Sequence, residues 1–383
     1  MTGKERGDHA GEAVSYTLNG QHKAVGYPGA NYKTGVVRVY QLNGLSWEQV
    51  GNSINGESFG EEFGRSVALS SDGRRLIVGA PENSNVHSRA GRVRAFQLKA
   101  GEWDYVGSSI YGEYPNDQAG FAVSISDDGT VFAVGAPHRS GQLPGSVRIF
   151  QLNVTNQDWT QMENTFSRGQ LGDECGYSIS LSASGKMLAA GCPSWGQNNE
   201  KVGKVIIMRA NQTGTWLLHS QSFVGDTSGA ALGATVSVSN DGKTLAFGLP
   251  GLSKGSRVRA GGVRVMKYNP FSDSWVQLGR DMIGHRRGYE IGKSVSLSAN
   301  GRVVAFDAGP FYEKEVRAGE LVSVRSFDGR NWHPNGTDLV IRQVSSYYQV
   351  GLNGDGNQII VGFDNVARTG VVAHHSFINN PVI

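Results

Sequence analysis

Apolar and polar positions alternate along this chain in short runs, and the runs return in the same order at near-constant spacing. The clearest copy reads Phe63-Gly64, then Val67 and Leu69 set between Ser66, Ala68 and Ser70, then Asp72-Gly73, then Leu76 to Pro81. Such alternation is the pattern of a half-buried strand. The same register returns as Val14/Tyr16, Val123/Ile125, Ile179/Leu181, Val236/Val238, Val295/Leu297 and Val350/Leu352. Small residues between them suit a crowded inner strand. A second run ends in Val-Gly-Ala-Pro or a variant of it. Its glycine falls at Gly26, Gly79, Gly135, Gly191, Gly248 and Gly362, with Asp307 in its place in the sixth copy, so successive intervals are 53, 56, 56, 57, 59 and 55 residues. Each is preceded by a turn pair such as Asn19-Gly20, Asp72-Gly73 or Asp241-Gly242. These pairs predict tight hairpins of type I′, in which both central residues take positive φ. A third run opens at Gly35, Gly91, Gly145, Gly203, Gly261, Gly319 and Gly370. A fourth carries Trp47, Trp103, Trp159, Trp216, Trp275 and Trp332, read as packing between neighbouring units.

Four strand-length runs per period, repeated seven times, predict an all-β fold: a seven-bladed β-propeller of four-stranded antiparallel blades. One domain spans 1–383, with repeats at about 10–56, 57–112, 113–168, 169–225, 226–284, 285–343 and 344–383. The last blade lacks its outer strand within the chain, because the 12 to 14 residues that separate glycine from tryptophan elsewhere run past Gly370 to the end. Met1-Thr2-Gly3 aligns with Ile54-Asn55-Gly56, just after the fourth strand of the first unit. The expectation is a domain belonging to a longer protein, its open seventh blade available for strand exchange or a flanking domain; a three-stranded blade is the alternative.

Composition narrows the picture. The chain has 54 Gly and 38% apolar residues, which suits short strands and tight turns. No run of 18 apolar residues exists, so no membrane span is expected in the chain, and the polar first ten residues do not read as a signal peptide. A net charge of +3, from 36 basic and 33 acidic groups, is too balanced to argue for nucleic acid. Arg38, Arg94, Arg148 and Arg264 share one third-strand position and read as a solvated face, stems on apolar surface and heads in water, rather than a polyanion site.

Both cysteines, Cys175 and Cys192, fall in the fourth unit, one before the inner strand and one at the end of the second. They are near neighbours across that hairpin, as a cross-strand disulfide or as two buried thiols. Sequons at Asn153, Asn211 and Asn335 sit near the connection of third and fourth strands and point to glycosylation of a secreted protein.

The Phe-Gly-x-Ser-Val-x-Leu-Ser-x-Asp-Gly … Val-Gly-Ala-Pro unit resembles the FG-GAP repeat family, whose best-known relatives form integrin-α-like seven-bladed propellers. The resemblance covers nearly the whole chain. It implies an extracellular or cell-surface location, recognition through loops on one face and, in some members, calcium in the loop between first and second strands. Here that loop comes nearest to a calcium site in the seventh unit, where Asn353 and Asp355 match but Gly351 and Ile359 stand where acids are needed. A hard cation wants six to eight oxygens, so these residues read as turn formers and no metal or other cofactor is expected.

No catalytic set emerges. The two Gly-x-Ser-x-Gly matches, at Ser58 and Ser253, lack the strand–turn–helix frame of a nucleophile elbow. Adjacent His374 and His375 point to opposite faces of a strand. Glu57, Glu61 and Glu62, Glu113 and Asp117, and Asp173 and Glu174 cluster before inner strands and offer carboxylates for a glycosidase. The loops between second and third strands break the repeat and share a face with those leading into each new blade. Aromatic and basic residues gather there, as on recognition surfaces, though unconstrained loops also vary. The preferred expectation is a non-catalytic module binding a protein or glycan, with Trp195, Phe311 and Tyr312 as anchors and Arg139, Arg257 and Arg286 supplying charge. The alternatives are a carbohydrate-active enzyme using acidic loop residues near the central channel, and a structural or assembly propeller.

Overall fold

A computed structural model describes the chain apart from residues 1, 2, 4, 138–143, 163–165, 167–169, 197–199, 315, 343–347, 364–368 and 377–383, and the side chain of residue 348. Seven antiparallel sheets follow one another around a ring, forming a seven-bladed β-propeller. In the second blade the strands are Ser66–Leu69, Arg75–Ala80, Arg92–Lys99 and a fourth in two pieces, Glu102–Tyr105 and Ile110–Tyr111, both paired with the third. The fourth strand is broken in this way in the first, second, fourth, fifth and sixth blades. The seventh has three strands among the described residues, Tyr348–Leu352, Gln358–Phe363 and Val371–Ser376.

The hairpins joining first and second strands stand where the turn pairs were read, but the turn type differs. Only the glycine of each pair takes positive φ, 70° at Gly73. The aspartate is selected for its carboxylate instead: Asp72 Oδ1 accepts from Ser70 Oγ at 2.6 Å and from the Arg74 amide at 2.9 Å. This is a local side-chain turn followed by a left-handed glycine.

Inner strands expose one backbone edge to the channel, and the serines of the repeat satisfy it. Ser15 Oγ accepts from the Leu69 amide of the next blade at 3.0 Å, and Ser124, Ser180, Ser237 and Ser296 do the same for Leu181, Val238, Leu297 and Leu352. At the narrow end, turn residues of successive blades are linked head to tail by backbone hydrogen bonds. They run from Ser71 to Asp127, Ala183, Asn240, Ala299, Gly354 and Leu18, at 2.7–3.1 Å.

Between blades lie apolar seams. Leu76, Val78, Phe96 and Trp103 pack on Ala24, Val37 and Val39 of the first blade, and Trp103 Nε1 donates to the Val50 carbonyl at 2.9 Å. Trp159 and Trp332 repeat that bond to Val106 and Leu278. The second-strand glycine meets the next blade: a Cβ at Gly79 would lie 2.0 Å from the Gly120 carbonyl oxygen, which no side chain tolerates. The ring closes by the same device, since Gly3 N donates to Gly370 O at 3.2 Å as Gly56 N does to Gly35 O at 2.9 Å. Gly3 therefore occupies the place of Gly56, as the alignment of repeats anticipates.

Candidate functional site

Two sets of loops, those joining second to third strands and those entering each new blade, make up one face of the ring. The entering loops are built around acidic residues, and their carboxylates face inward to the chain. Glu61, 1% exposed, accepts from the amides of Glu57 and Ser58, from Asn83 Nδ2 at 2.6 Å and from Arg92 at 2.7 Å. Asp117 accepts from the amides of Glu113 and Tyr114, and Asp173 from that of Gln170. Glu62 pairs with Lys33 at 2.9 Å, and Glu174 accepts from Ser194 Oγ at 2.9 Å. Glu61, Glu62, Asp117, Asp173 and Glu174 thus each have a turn or a loop to hold, while Glu57 and Glu113 are exposed beside third-strand arginines.

The third-strand arginines are not a wet face, contrary to the expectation from alternation. Arg94 and Arg148 are 9% and 6% exposed. Where the fourth strand breaks, it leaves loop acids and carbonyls facing the third strand, and the guanidinium bridges to them. Arg94 binds Glu57 and Tyr105, Arg148 reaches the Tyr111 carbonyl at 2.6 Å, and Arg264 forks onto Asp281 at 2.9 Å through each nitrogen. Arg38 reaches Ser53 Oγ at 3.2 Å and lies over the Tyr27 ring. The hydrogen bond from Arg94 is the main reason that the Glu57 pKa falls to about 2.

At the channel mouth, a cavity of about 200 Å³ is ringed by the residue that follows the glycine of Phe-Gly in the first six blades. Those residues are Glu12, Arg65, Phe121, Tyr177, Ala234 and Lys293. They form a run of contacts: Arg65 Nε lies 3.1 Å from Glu12, its guanidinium 5.1 Å from the Phe121 ring, and the Phe121 and Tyr177 rings 4.9 Å apart. Across the mouth Lys293 pairs with Glu290 at 2.8 Å. Burial works against the Glu290 charge, but hydrogen bonds from Lys293 and Arg259 keep its pKa below that of an ordinary carboxylate. Sequence reasoning missed this ring. The signal was one position that changes character in every copy while its neighbours do not.

The expected anchors spread over the fourth to sixth blades. Trp195 is half-buried, with Lys204 Nζ 5.2 Å from its ring. In the sixth blade the second and third strands, Val303–Glu313 and Val316–Phe327, run on into a long hairpin. Phe311 lies near its tip under the Arg342 guanidinium, and Tyr312 is 42% exposed. Arg286 is exposed, whereas Arg257 donates to the Gly284 carbonyl at 3.1 Å and pins the neighbouring loop. Arg139 lies outside the described residues. Other exposed apolar side chains stand on the same face: Tyr32, Phe59 and Leu171, 85%, 83% and 66% exposed.

Ser58 donates to Asn85 Oδ1, and Ser253 accepts from the Arg259 amide, so neither serine faces a base. Asn353 is buried, its Oδ1 taken by the amides of Asn357 and Gln358, while Asp355 is exposed. Cys175 and Cys192 form a disulfide, which ties the loop entering the fourth blade to the end of that blade's second strand. Of the sequons, Asn153 ends the third strand Ser146–Asn153 and Asn211 follows the third strand Lys204–Ala210, both exposed; Asn335 lies just past the fourth-strand segment Trp332–Pro334 and is half-buried. No helix among the described residues is long and apolar enough to cross a membrane.

No family model matches the chain, and no curated protein matches it in sequence. Solved structures do match in shape. A putative 6-phosphogluconolactonase from Bacteroides uniformis aligns with a TM-score of 0.59 at 14% identity, over 86% of this chain and 85% of that one. A second protein of that description, from Bacteroides fragilis, gives 0.56 at 13% identity over 86% and 84%. Sqt1 from Chaetomium thermophilum gives 0.56 at 14% identity over 98% and 84%. At such identities the likeness concerns architecture alone, and what it establishes is that this chain has the fold of a seven-bladed β-propeller.

Proposed function

We propose that this chain is a non-catalytic recognition module of the FG-GAP, integrin-α-like kind. It works outside the cell or at its surface and binds a protein or glycan through the loop face. One observation carries the reading: large apolar side chains stand exposed at loop tips on that face, Tyr32, Phe59, Leu171 and Tyr312, beside the exposed Arg286 and Arg287. Rigid loops that present aromatic and basic groups are the material of binding surfaces. Most of the acids that an enzyme would need, Glu61, Glu62, Asp117, Asp173 and Glu174, are already engaged in holding loops. The disulfide suits an oxidising compartment, as do sequons on exposed turns.

A carbohydrate-active enzyme is the second reading. The polar cavity at the channel mouth favours it, as do the two neighbours described as 6-phosphogluconolactonases.

The test is binding of the purified chain to glycan and cell-surface protein arrays, beside Phe59→Ala/Tyr312→Ala, with calcium and with chelator. Specific binding lost in the variant supports the loop face. Binding kept in the variant but lost in Arg65→Ala/Lys293→Ala moves the site to the channel mouth.

A further inference from the structure

Each seam between blades is a control for the others, and the seam between the fifth and sixth blades departs from the pattern. In the second to fifth blades the third strand fills the seam with a large apolar side chain paired opposite the second strand: Phe96 opposite Leu76, Phe150 opposite Phe132, Met208 opposite Leu188 and Met266 opposite Leu245. In the sixth blade that register holds Arg325, opposite Val304. Two residues earlier, where Arg94 clamps Glu57 in the second blade, stands Ser323, and the place of Glu57 is taken by His285. Both members of the clamp are gone together, and so is the apolar plug.

What remains is a cleft of about 370 Å³ floored by Phe306, Leu321 and Trp332. That is the size of a small-molecule site. Its acids are already neutralised from within the chain. Asp281 is held by Arg264 through two bonds of 2.9 Å, and Asp338 by Arg325 at 3.1 Å and Ser323 Oγ at 2.7 Å. Arg280 and His285 stand exposed at the rim, with Arg286 and Arg287 beyond. The floor is apolar and the rim cationic.

We infer that the cleft between the fifth and sixth blades binds a small organic acid with a compact apolar or aromatic body. The body lies against Trp332 and Phe306, and the carboxylate meets Arg280 and His285. This site opens between blades and is independent of the loop-face reading.

Phenylacetate and phenylethylamine are the probes, titrated into the full chain with tryptophan fluorescence and amide NMR shifts as readouts. Saturable binding of phenylacetate, with shifts clustered at Met282–His285 and Trp332, is expected; the amine, identical in body but opposite in charge, gives none. The variant His285→Glu/Ser323→Arg installs the Arg94–Glu57 clamp of the second blade and fills the cleft. It is expected to fold and to bind phenylacetate at least tenfold more weakly. Arg280→Gln tests the charge alone and is expected to weaken binding severalfold. No saturable response at millimolar phenylacetate overturns the proposal. So does equal binding of the amine, or unchanged affinity in the installed-clamp variant; should that variant not fold, unchanged affinity in Arg280→Gln has the same force.

Discussion

The ammonium of Lys23 lies 3.8 Å from the centre of the Trp47 ring, in the seam between the seventh and first blades. This seam is unlike the rest. Tyr16 donates to Gln358 Oε1 at 2.6 Å and meets His374 Nε2 at 3.0 Å, while the rings of Trp47 and His374 meet edge-on at 5.5 Å. At the register of Lys23 the other blades carry Leu76, Phe132, Leu188, Leu245, Val304 and Ile359. At that second-strand register this seam carries a titratable group where its counterparts carry hydrocarbon.

A pH signature follows. Lys23 is 1% exposed, and burial lowers its pKa from 10.5 to about 8. Between those values the unfolded chain holds a proton that the folded chain has released. Stability therefore rises as pH climbs from 8 to 10.5, and the burial cost is fully present below pH 8. Lys23→Leu should raise stability at pH 7 by ~1–3 kcal/mol and flatten that rise. Urea midpoints at pH 7 and pH 10 measure both effects; an undiminished rise in the variant would assign the titration to another group.

Asp307 gives the opposite slope. In five blades the glycine amide after the Phe position donates to a second-strand carbonyl, as Gly64 N does to Gly79 O. In the sixth, the Asp307 carboxylate takes over, accepting from Gly292 and Ser294 amides at 2.8 and 3.0 Å, with its second oxygen unpartnered. Burial raises its pKa from 3.8 to about 7. The folded chain then holds the extra proton between those values, so stability is greatest below pH 4 for this group and is lost as pH rises through 7. Asp307→Asn keeps the acceptor and removes the charge. It should be more stable than the parent at pH 8, with the difference gone near pH 4, as thermal unfolding at both values would record.

The Arg92–Glu61 pair is buried at both ends, and breaking it from one side strands a charge. Arg92→Leu should cost ~3–5 kcal/mol. The same register is Val36 in the first blade and Leu321 in the sixth, so an apolar residue fits the strand itself. Arg92→Leu/Glu61→Gln should recover part of the loss, because Gln keeps the acceptor for the Glu57 and Ser58 amides. A double variant no better than Arg92→Leu would mean that packing, not the stranded carboxylate, sets the cost.

The disulfide closes a loop over a sequence separation of 17 residues, a constraint worth ~3 kcal/mol on the unfolded chain. The third blade has Ala119 and Ala136 at the equivalent positions. Cys175→Ala/Cys192→Ala should accordingly fold and lose about that much stability, and reductant should bring the parent to the same midpoint while leaving the variant where it is.

Strand positions and seams were legible because a blade must bury both faces, and seven copies of one solution average out local noise. Turn type was not, since Asp72 serves through its carboxylate rather than through φ. The buried arginines were misread for a related reason: alternation reports which way a side chain points, and only the fold reveals that Arg94 and Arg148 meet acceptors, Glu57 and the Tyr111 carbonyl, on the connection from the preceding blade. The channel-mouth residues escaped notice because Glu12, Arg65, Phe121 and Ala234 share no chemistry, and a repeat is recognised by what it keeps. Asp307 stood out as a disturbance, but its takeover of a carbonyl's role needed coordinates.

The chain of backbone hydrogen bonds from Ser71 to Leu18 at the narrow end runs in one rotational sense. A blade that tilts there pulls on the neighbour that donates to it and on the one that accepts from it. The base therefore behaves as a strap of six links laid across seven blades, and a blade inside it cannot splay without straining both neighbours. Changes of shape on binding are left to the far rim, where the connections are side chains and loop tips: the molecule is stiff at its hub and adjustable at its lip.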